Sequence, residues 1–334
     1  MRIEKSQIGS YQGQAVYKYK LINDYQNYIE VLSYAVTWHS FVINGKNLLA
    51  HFNKLEDYFG TPTYLCQAVG RVAGRISAGK AVLAGEKFQL PQNENNNTLH
   101  GGPHGFASTN WPAEVIESET EIKLRFSKKI TNEFDGFPND LNVVITVSFD
   151  NLNQVKMTFT GQAEGITIFN PTNHAYFNLN DEQTNLADHW LQIPGNQRLE
   201  LNQAKLPTGR ICQTEQTGYG FSHGQELGAA LRTIKQETNR GELDDAFVVP
   251  AEMTQPVAVL TNQATKDEIQ IFSNRKGLVV YSADLNNDGT FDALALEAQS
   301  LPDAVNHPEW HENIVLKDGQ TKTAEIVYKY SKLK

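Results

Sequence analysis

Short alternating runs of β-branched and aromatic residues recur along this chain and constrain its fold more than any other feature. Residues 143–149 read VVITVSF, 154–160 QVKMTFT, 269–273 IQIFS, 278–282 LVVYS and 324–330 AEIVYKY. A period-two pattern buries one face of a strand and wets the other. Turn-forming clusters separate the runs: Asp135-Gly136, Asn151 to Asn153 and Asn286 to Gly289. Helical periodicity is scarce, and its best stretch, QELGAALRTIK at 225–235, makes only about three turns. A chain this dense in strands and turns forms a sandwich or a barrel. No self-repeat appears at a period of roughly 20–50 residues, which argues against solenoids and propellers. The polar tract from Asn93 to Thr98 reads as a loop, and no Pro/Gly/Ser-rich spacer splits the sequence. The expectation is therefore one large all-β domain over residues 1–334.

Composition narrows the function classes. The 38 Asp and Glu outnumber the 29 Lys and Arg, giving a formal net charge of −9. A phosphate-backbone binder shows the opposite balance, so nucleic acid is not the expected partner. With 16 Phe, 13 Tyr and 4 Trp the chain has ample material for a core and is no disordered segment. No apolar run approaches the roughly 20 residues of a membrane span. The N-terminal stretch MRIEKSQIGSYQGQ lacks the apolar core of a secretion signal. Cys66 and Cys212 are the only cysteines, too few for a disulfide framework. A reduced, cytoplasmic protein with two free thiols is expected.

Polar groups concentrate in four places among strand-like surroundings. Leu99-His100-Gly101-Gly102-Pro103-His104-Gly105 combines glycines, which let backbone approach a ligand, with histidines. A plain glycine turn carrying surface histidines explains it at least as well. Asn170 to Leu179 interleaves amides and a histidine with aromatics. A regular strand there would put Thr172, His174 and Tyr176 on one side and Asn173, Ala175 and Phe177 on the other. A polar pocket and a hydrogen-bonded core histidine are equally good readings of His174. Asp244-Asp245 puts two carboxylates on opposite faces of an extended chain, so one of them can face a pocket; a solvated turn is the simpler reading. Glu297 closes the apolar run Ala293 to Leu296. Desolvation there raises a carboxylate's pKa and makes it a candidate general base, unless it merely faces water at a strand end.

Two further segments look like motifs without completing them. Asp284-Leu285-Asn286-Asn287-Asp288-Gly289 begins as a calcium loop does, but Ala295 stands where the bidentate Glu belongs. His307 and His311 have zinc spacing on a helix, with Pro308 between them and no third ligand close by. No nucleophile elbow, phosphate loop or dinucleotide fingerprint occurs in a suitable context.

Taken in order, several stretches resemble the aldose 1-epimerase (galactose mutarotase) family. Gly70-Arg71-Val72-Ala73-Gly74-Arg75-Ile76 is similar to its GRYANRI, Asn97 to Gly102 to its NxLHGG, and Thr172 to Leu179 to its TNHxYFNL. Leu206 to Gly209 resembles its PTG turn. Leu243 to Phe247 resembles its G-x-D-H-x-F/Y segment, and Leu296 to Asn306 its E-x-Q…PDA-x-N end. The resemblance implies a large antiparallel β-sandwich with an open sugar cleft. It also implies interconversion of the α and β anomers of free hexoses such as galactose and glucose. Position by position, it implies Glu297 as base, His174 as acid, and Arg71, His100 and Asp244 as sugar-binding groups. Phe177, with Phe272 and Tyr281, is a candidate to cover the apolar sugar face. Gly74 and Val72 replace the family's Asn and Tyr; Asp245 and Glu242 replace its His and Gly. These departures leave the sugar open, disaccharides included.

Such a reaction opens the ring by taking the C1 hydroxyl proton and protonating the ring oxygen, then recloses after rotation about C1–C2. It transfers no electrons, so no cofactor or metal is expected, only a small-molecule monosaccharide and a monomer or homodimer. The expected working state is ionised Glu297 with protonated His174, from reference pKa values of about 4.3 and about 6.5. The neighbouring carboxylate is expected to raise the histidine. Two alternatives remain. A non-catalytic sugar-binding module would bind sugar without accelerating mutarotation, and a hexose-phosphate epimerase would need clustered Arg and Lys.

Overall fold

The computed structural model describes residues 1–118 and 120–333. All the runs singled out above are strands, each longer than its apolar pattern: Asp140–Asp150, Gln154–Glu164, Asp267–Ser273, Gly277–Ala283 and Thr321–Lys332. Main-chain pairing continues past the apolar stretch because flanking polar residues still complete the ladder.

Two antiparallel sheets dominate. A nine-stranded sheet runs Ala113–Glu117, Glu121–Ile130, Asp140–Asp150, Gln154–Glu164, Thr321–Lys332, Asp267–Ser273, Ala258–Asn262, His189–Gln192, Gln225–Glu226. Its register sets Ile145 opposite Phe159, Met157 opposite Ile326 and Val155 opposite Tyr328, so the buried half of each alternation meets across strands. A six-stranded sheet runs Tyr176–Phe177, Ala293–Gln299, Gly277–Ala283, Asp244–Val248, Gln197–Leu201, Pro207–Gln213. Met157, Phe159 and Ile269 from the first sheet share one core cluster with Leu278, Val280, Leu294 and Leu296 from the second. This is the face-to-face packing of a sandwich. Each such side chain contributes about 1.5–3 kcal/mol by leaving water. A five-stranded antiparallel sheet over residues 2–47 adds Trp38 and Phe41 to the same core.

The helix expected at 225–235 is observed at Leu227–Thr238, since Gln225 and Glu226 pair instead with Leu191 and Trp190. It buries Leu227, Ala230 and Ile234 and ends at Asn239, which takes the left-handed conformation and donates its N–H to the Lys235 carbonyl. No helix among the described residues is long and apolar enough to cross a membrane. Cys66 is buried and Cys212 half-buried, and both are free thiols. Burial pushes the Cys66 thiol up to about 12.

One loop needs its glycine. Gly101 has φ +90°, and a Cβ there would stand 1.8 Å from the Gly70 carbonyl oxygen. Only a residue without a side chain lets the loop carrying His100 lie flat on the segment that leads to Arg75.

Candidate active site

Alternation along the six-stranded sheet builds the floor of a cavity of about 370 Å³. Asp244 and Ala246 share one face of their strand, Val279 and Tyr281 the facing positions of the next, and Glu297 follows beside Val279. The strand that carries it, Ala293–Gln299, is buried along its whole length, so Glu297 points into the cavity from a rigid support. Asp245, one residue out of phase, is fully buried and directs its carboxylate to Arg198 at 3.2 Å and Arg240 at 3.4 Å.

His174 arrives on a segment tied to that same strand. Thr172 Oγ1 donates to the Ala298 carbonyl at 2.7 Å, and Asn170 exchanges hydrogen bonds with Ser300. The buried Arg275 guanidinium donates to the carbonyls of both Pro171 and Ala298. His174 Nε2 consequently sits 3.3 Å from Glu297 Oε1. Its ring stacks on Tyr176 at 4.8 Å and 19°, and the His100 ring stands edge-on to it at 5.2 Å. His100 Nδ1 accepts the Gly74 N–H at 3.3 Å, which leaves the proton of a neutral ring on Nε2. Donor atoms of His100, His174 and Glu297 lie within 4.8 Å of one another, so the trio could also hold a divalent transition ion.

The family model for aldose 1-epimerase matches residues 17–329. The chain belongs to the aldose 1-epimerase family. It is 38% identical to the maltose epimerase of Levilactobacillus brevis, covering 99% of this chain and 100% of that protein. It is 35% identical to the aldose 1-epimerase of Streptococcus thermophilus, covering 99% of each. Among solved structures, a galactose 1-epimerase from Lactobacillus acidophilus NCFM superposes with a TM-score of 0.88 at 26% identity, covering 99% of both chains. The chain is thus an isomerase on the galactose-mutarotase-like sandwich.

Within this epimerase fold, His100, His174, Asp244 and Glu297 all line the one cavity. Two expected binding residues do not. Arg71 is fully buried: its Nε and Nη2 grip Asp135 at 2.6 and 2.9 Å, and Nη1 donates to Thr167 Oγ1 and the Asn139 carbonyl. It binds the inside of the protein and not a sugar. Four residues on, past Gly74 in the left-handed conformation, the chain turns Arg75 into the cavity instead. Phe177 packs against Trp38 and Tyr328 in the core, because the alternation that turns His174 and Tyr176 inward to the cavity turns Phe177 away. Phe272 likewise lies off the cavity, whereas Tyr281 lines it together with Tyr64 and Tyr176.

Charges around the cavity are joined in a chain. Arg75 holds Glu94 through two hydrogen bonds of 2.6 and 2.8 Å and stands 3.8 Å from Asp244. Lys205 bridges Asp244 at 2.7 Å and Glu242 at 2.9 Å. Lys205, Glu94 and Tyr64 were not picked out from sequence, since each sits in a turn or irregular stretch without a period to read. The segment resembling a calcium loop closes on itself: Asp284 accepts the N–H groups of Asp288 and Gly289 at the cavity rim. His307 stacks on Trp310 at 4.2 Å and hydrogen-bonds Glu309, away from the cavity.

Burial reverses the expected protonation of the central pair. Desolvation, then repulsion from Asp244, holds the Glu297 carboxyl well above its ordinary range, with Arg75 opposing. Desolvation lowers His174 to about 4, outweighing the upward pull of its own main chain and Asp244. Burial, His174 and Arg75 together keep His100 neutral. Desolvation thus favours the neutral form of each partner, a protonated Glu297 beside an unprotonated His174, over the ion pair expected. The proton count of the pair is unchanged at one, and it is a property of the pair.

Proposed function

We propose that this epimerase interconverts the α and β anomers of free aldoses such as galactose and glucose, with Glu297 and His174 moving the protons. The observation that carries the reading is the 3.3 Å approach of His174 Nε2 to Glu297 Oε1 in a cavity that Arg75, Lys205, Asp244 and three tyrosines also line. Ring opening requires one proton to leave O1 and one to reach O5 as the C1–O5 bond breaks and C1=O1 forms. A pair that holds a single proton and can accept one while giving one meets that requirement, and ends with the count it began with.

The sugar itself selects the working arrangement. Its C1 hydroxyl donates to the carboxylate and its ring oxygen accepts from the imidazolium, so both charged forms gain hydrogen bonds they lack in the empty cavity. The proton shift from Oε1 to Nε2 then yields ionised Glu297 as base and protonated His174 as acid. His100, with its proton on Nε2, donates to a nearby sugar oxygen. Arg75 and Asp244 fix hydroxyls from the far side, and Tyr176 and Tyr281 flank the ring. Rotation about C1–C2 and the reverse transfers close the other anomer.

The relative named maltose epimerase supports extending this reading to reducing disaccharides. The test is polarimetry of freshly dissolved α-glucose, α-galactose and maltose, corrected for the buffer rate. Acceleration that disappears in Glu297→Gln supports the proposal. Saturable sugar binding by calorimetry without acceleration would instead make the protein a sugar-binding module.

A further inference from the structure

We propose that a second cavity, next to the reaction cavity, is a subsite for a glycosyl group carried on a non-anomeric oxygen of the sugar. The inference rests on the mutarotase reading for where the reducing end lies. This second cavity measures about 530 Å³, within the roughly 300–1,000 Å³ of small-molecule sites. It shares Pro62, Tyr64, Glu94, Leu99 and His100 with the reaction cavity, so the two cavities adjoin along these residues. A pyranose held at Glu297 and His174 has its remaining oxygens facing such walls.

The chemistry of the second cavity matches a sugar and little else. Tyr11 and Phe134 supply flat apolar surface of the kind that covers a pyranose face. Gln12 and His104 supply exposed hydrogen-bonding groups at its edge. Gly60, Gly102 and Gly105 line the same space, so no side chains fill it there. Among the described residues no Lys or Arg lines it, and its one carboxylate, Glu94, is already gripped by Arg75. An uncharged polyhydroxyl group fits these walls; a phosphate or a carboxylate finds no cation there.

The experiment compares maltose and isomaltose with glucose, since their second rings leave through O4 and O6 respectively. The unaltered protein should bind at least one of the two disaccharides about tenfold tighter than glucose by calorimetry, and turn it over with a correspondingly higher kcat/KM. Tyr11→Ala and His104→Trp, which respectively remove a wall and fill the space, should abolish that preference while leaving α-glucose mutarotation within about twofold. Equal affinity for all three sugars in the unaltered protein, or variants that lower glucose and disaccharide alike, would overturn the subsite. Failure of the function reading is distinct: it shows as no acceleration of any sugar, while the calorimetric preference still decides the subsite.

Discussion

Arg71 and Arg75 lie four positions apart in one segment, yet the structure gives them opposite work, and a pair of substitutions separates the two. Arg71→Met removes a guanidinium with no exposed surface and strands Asp135, whose side chain is equally buried. Burial already raises the Asp135 carboxyl, and the arginine is what opposes it. Breaking one side of such a buried pair costs about 3–5 kcal/mol. For a chain of this length the melting temperature should fall by about 4–7 °C. The folded fraction should keep its kinetic constants within about threefold. Arg75→Met breaks a partly exposed pair with Glu94, so stability should change by less than about 1 kcal/mol. On the proposed function it also removes a charged hydrogen bond to the sugar, worth about 1.5–3 kcal/mol, so kcat/KM should fall roughly 10- to 150-fold. Thermal denaturation and polarimetry on both variants decide the matter. Weakened sugar handling in Arg71→Met at unchanged melting temperature would refute the assignment, as would a large loss of stability in Arg75→Met with normal kinetics.

Glu297→Gln should lower kcat by about 10²–10⁴-fold with the fold intact, read by polarimetry and circular dichroism; a loss below tenfold would remove the carboxylate from the chemistry. The pH–rate profile should be bell-shaped, rising as His174 sheds its extra proton near about 4 and falling as Glu297 loses its proton at its raised pKa. Asp244 pushes both groups up, so Asp244→Asn should move both limbs to lower pH, and limbs that stay in place or move up would contradict the electrostatics. Gly101→Ala should destabilise by more than about 4 kcal/mol or prevent folding, because both its φ of +90° and the 1.8 Å approach to Gly70 forbid a Cβ; a denaturation midpoint near that of the unaltered protein would show that the loop can move aside.

Period-two alternation, applied to residues alone, sorted much of the site. It sends Asp244 to Lys205 and Asp245 to Arg198, and sets His174 and Tyr176 against Phe177, as the structure does. Naming Phe177 as a sugar platform ignored that phase. Arg71 went astray for a different reason. Residues 70–76 are mostly irregular and turn through Gly74, so no period tells which arginine faces the cavity. Lys205 meets Asp244 from a turn far along the chain, a contact that only the packed sheets create. Protonation was the least legible property. Whether a carboxylate–imidazole pair is ionic depends on how dry its surroundings are, and dryness belongs to the assembled fold.

The chain of alternating charges from Glu94 through Arg75 and Asp244 to Lys205 and Glu242 also governs what the protein ignores. Every cation at the cavity already has an anionic neighbour, and the one that bridges two carboxylates has no attraction to spare. A sugar phosphate would have to pull Arg75 or Lys205 from such a neighbour and then sit beside the released acid. This wall of mutually satisfied ions therefore favours a neutral ligand over an anionic one.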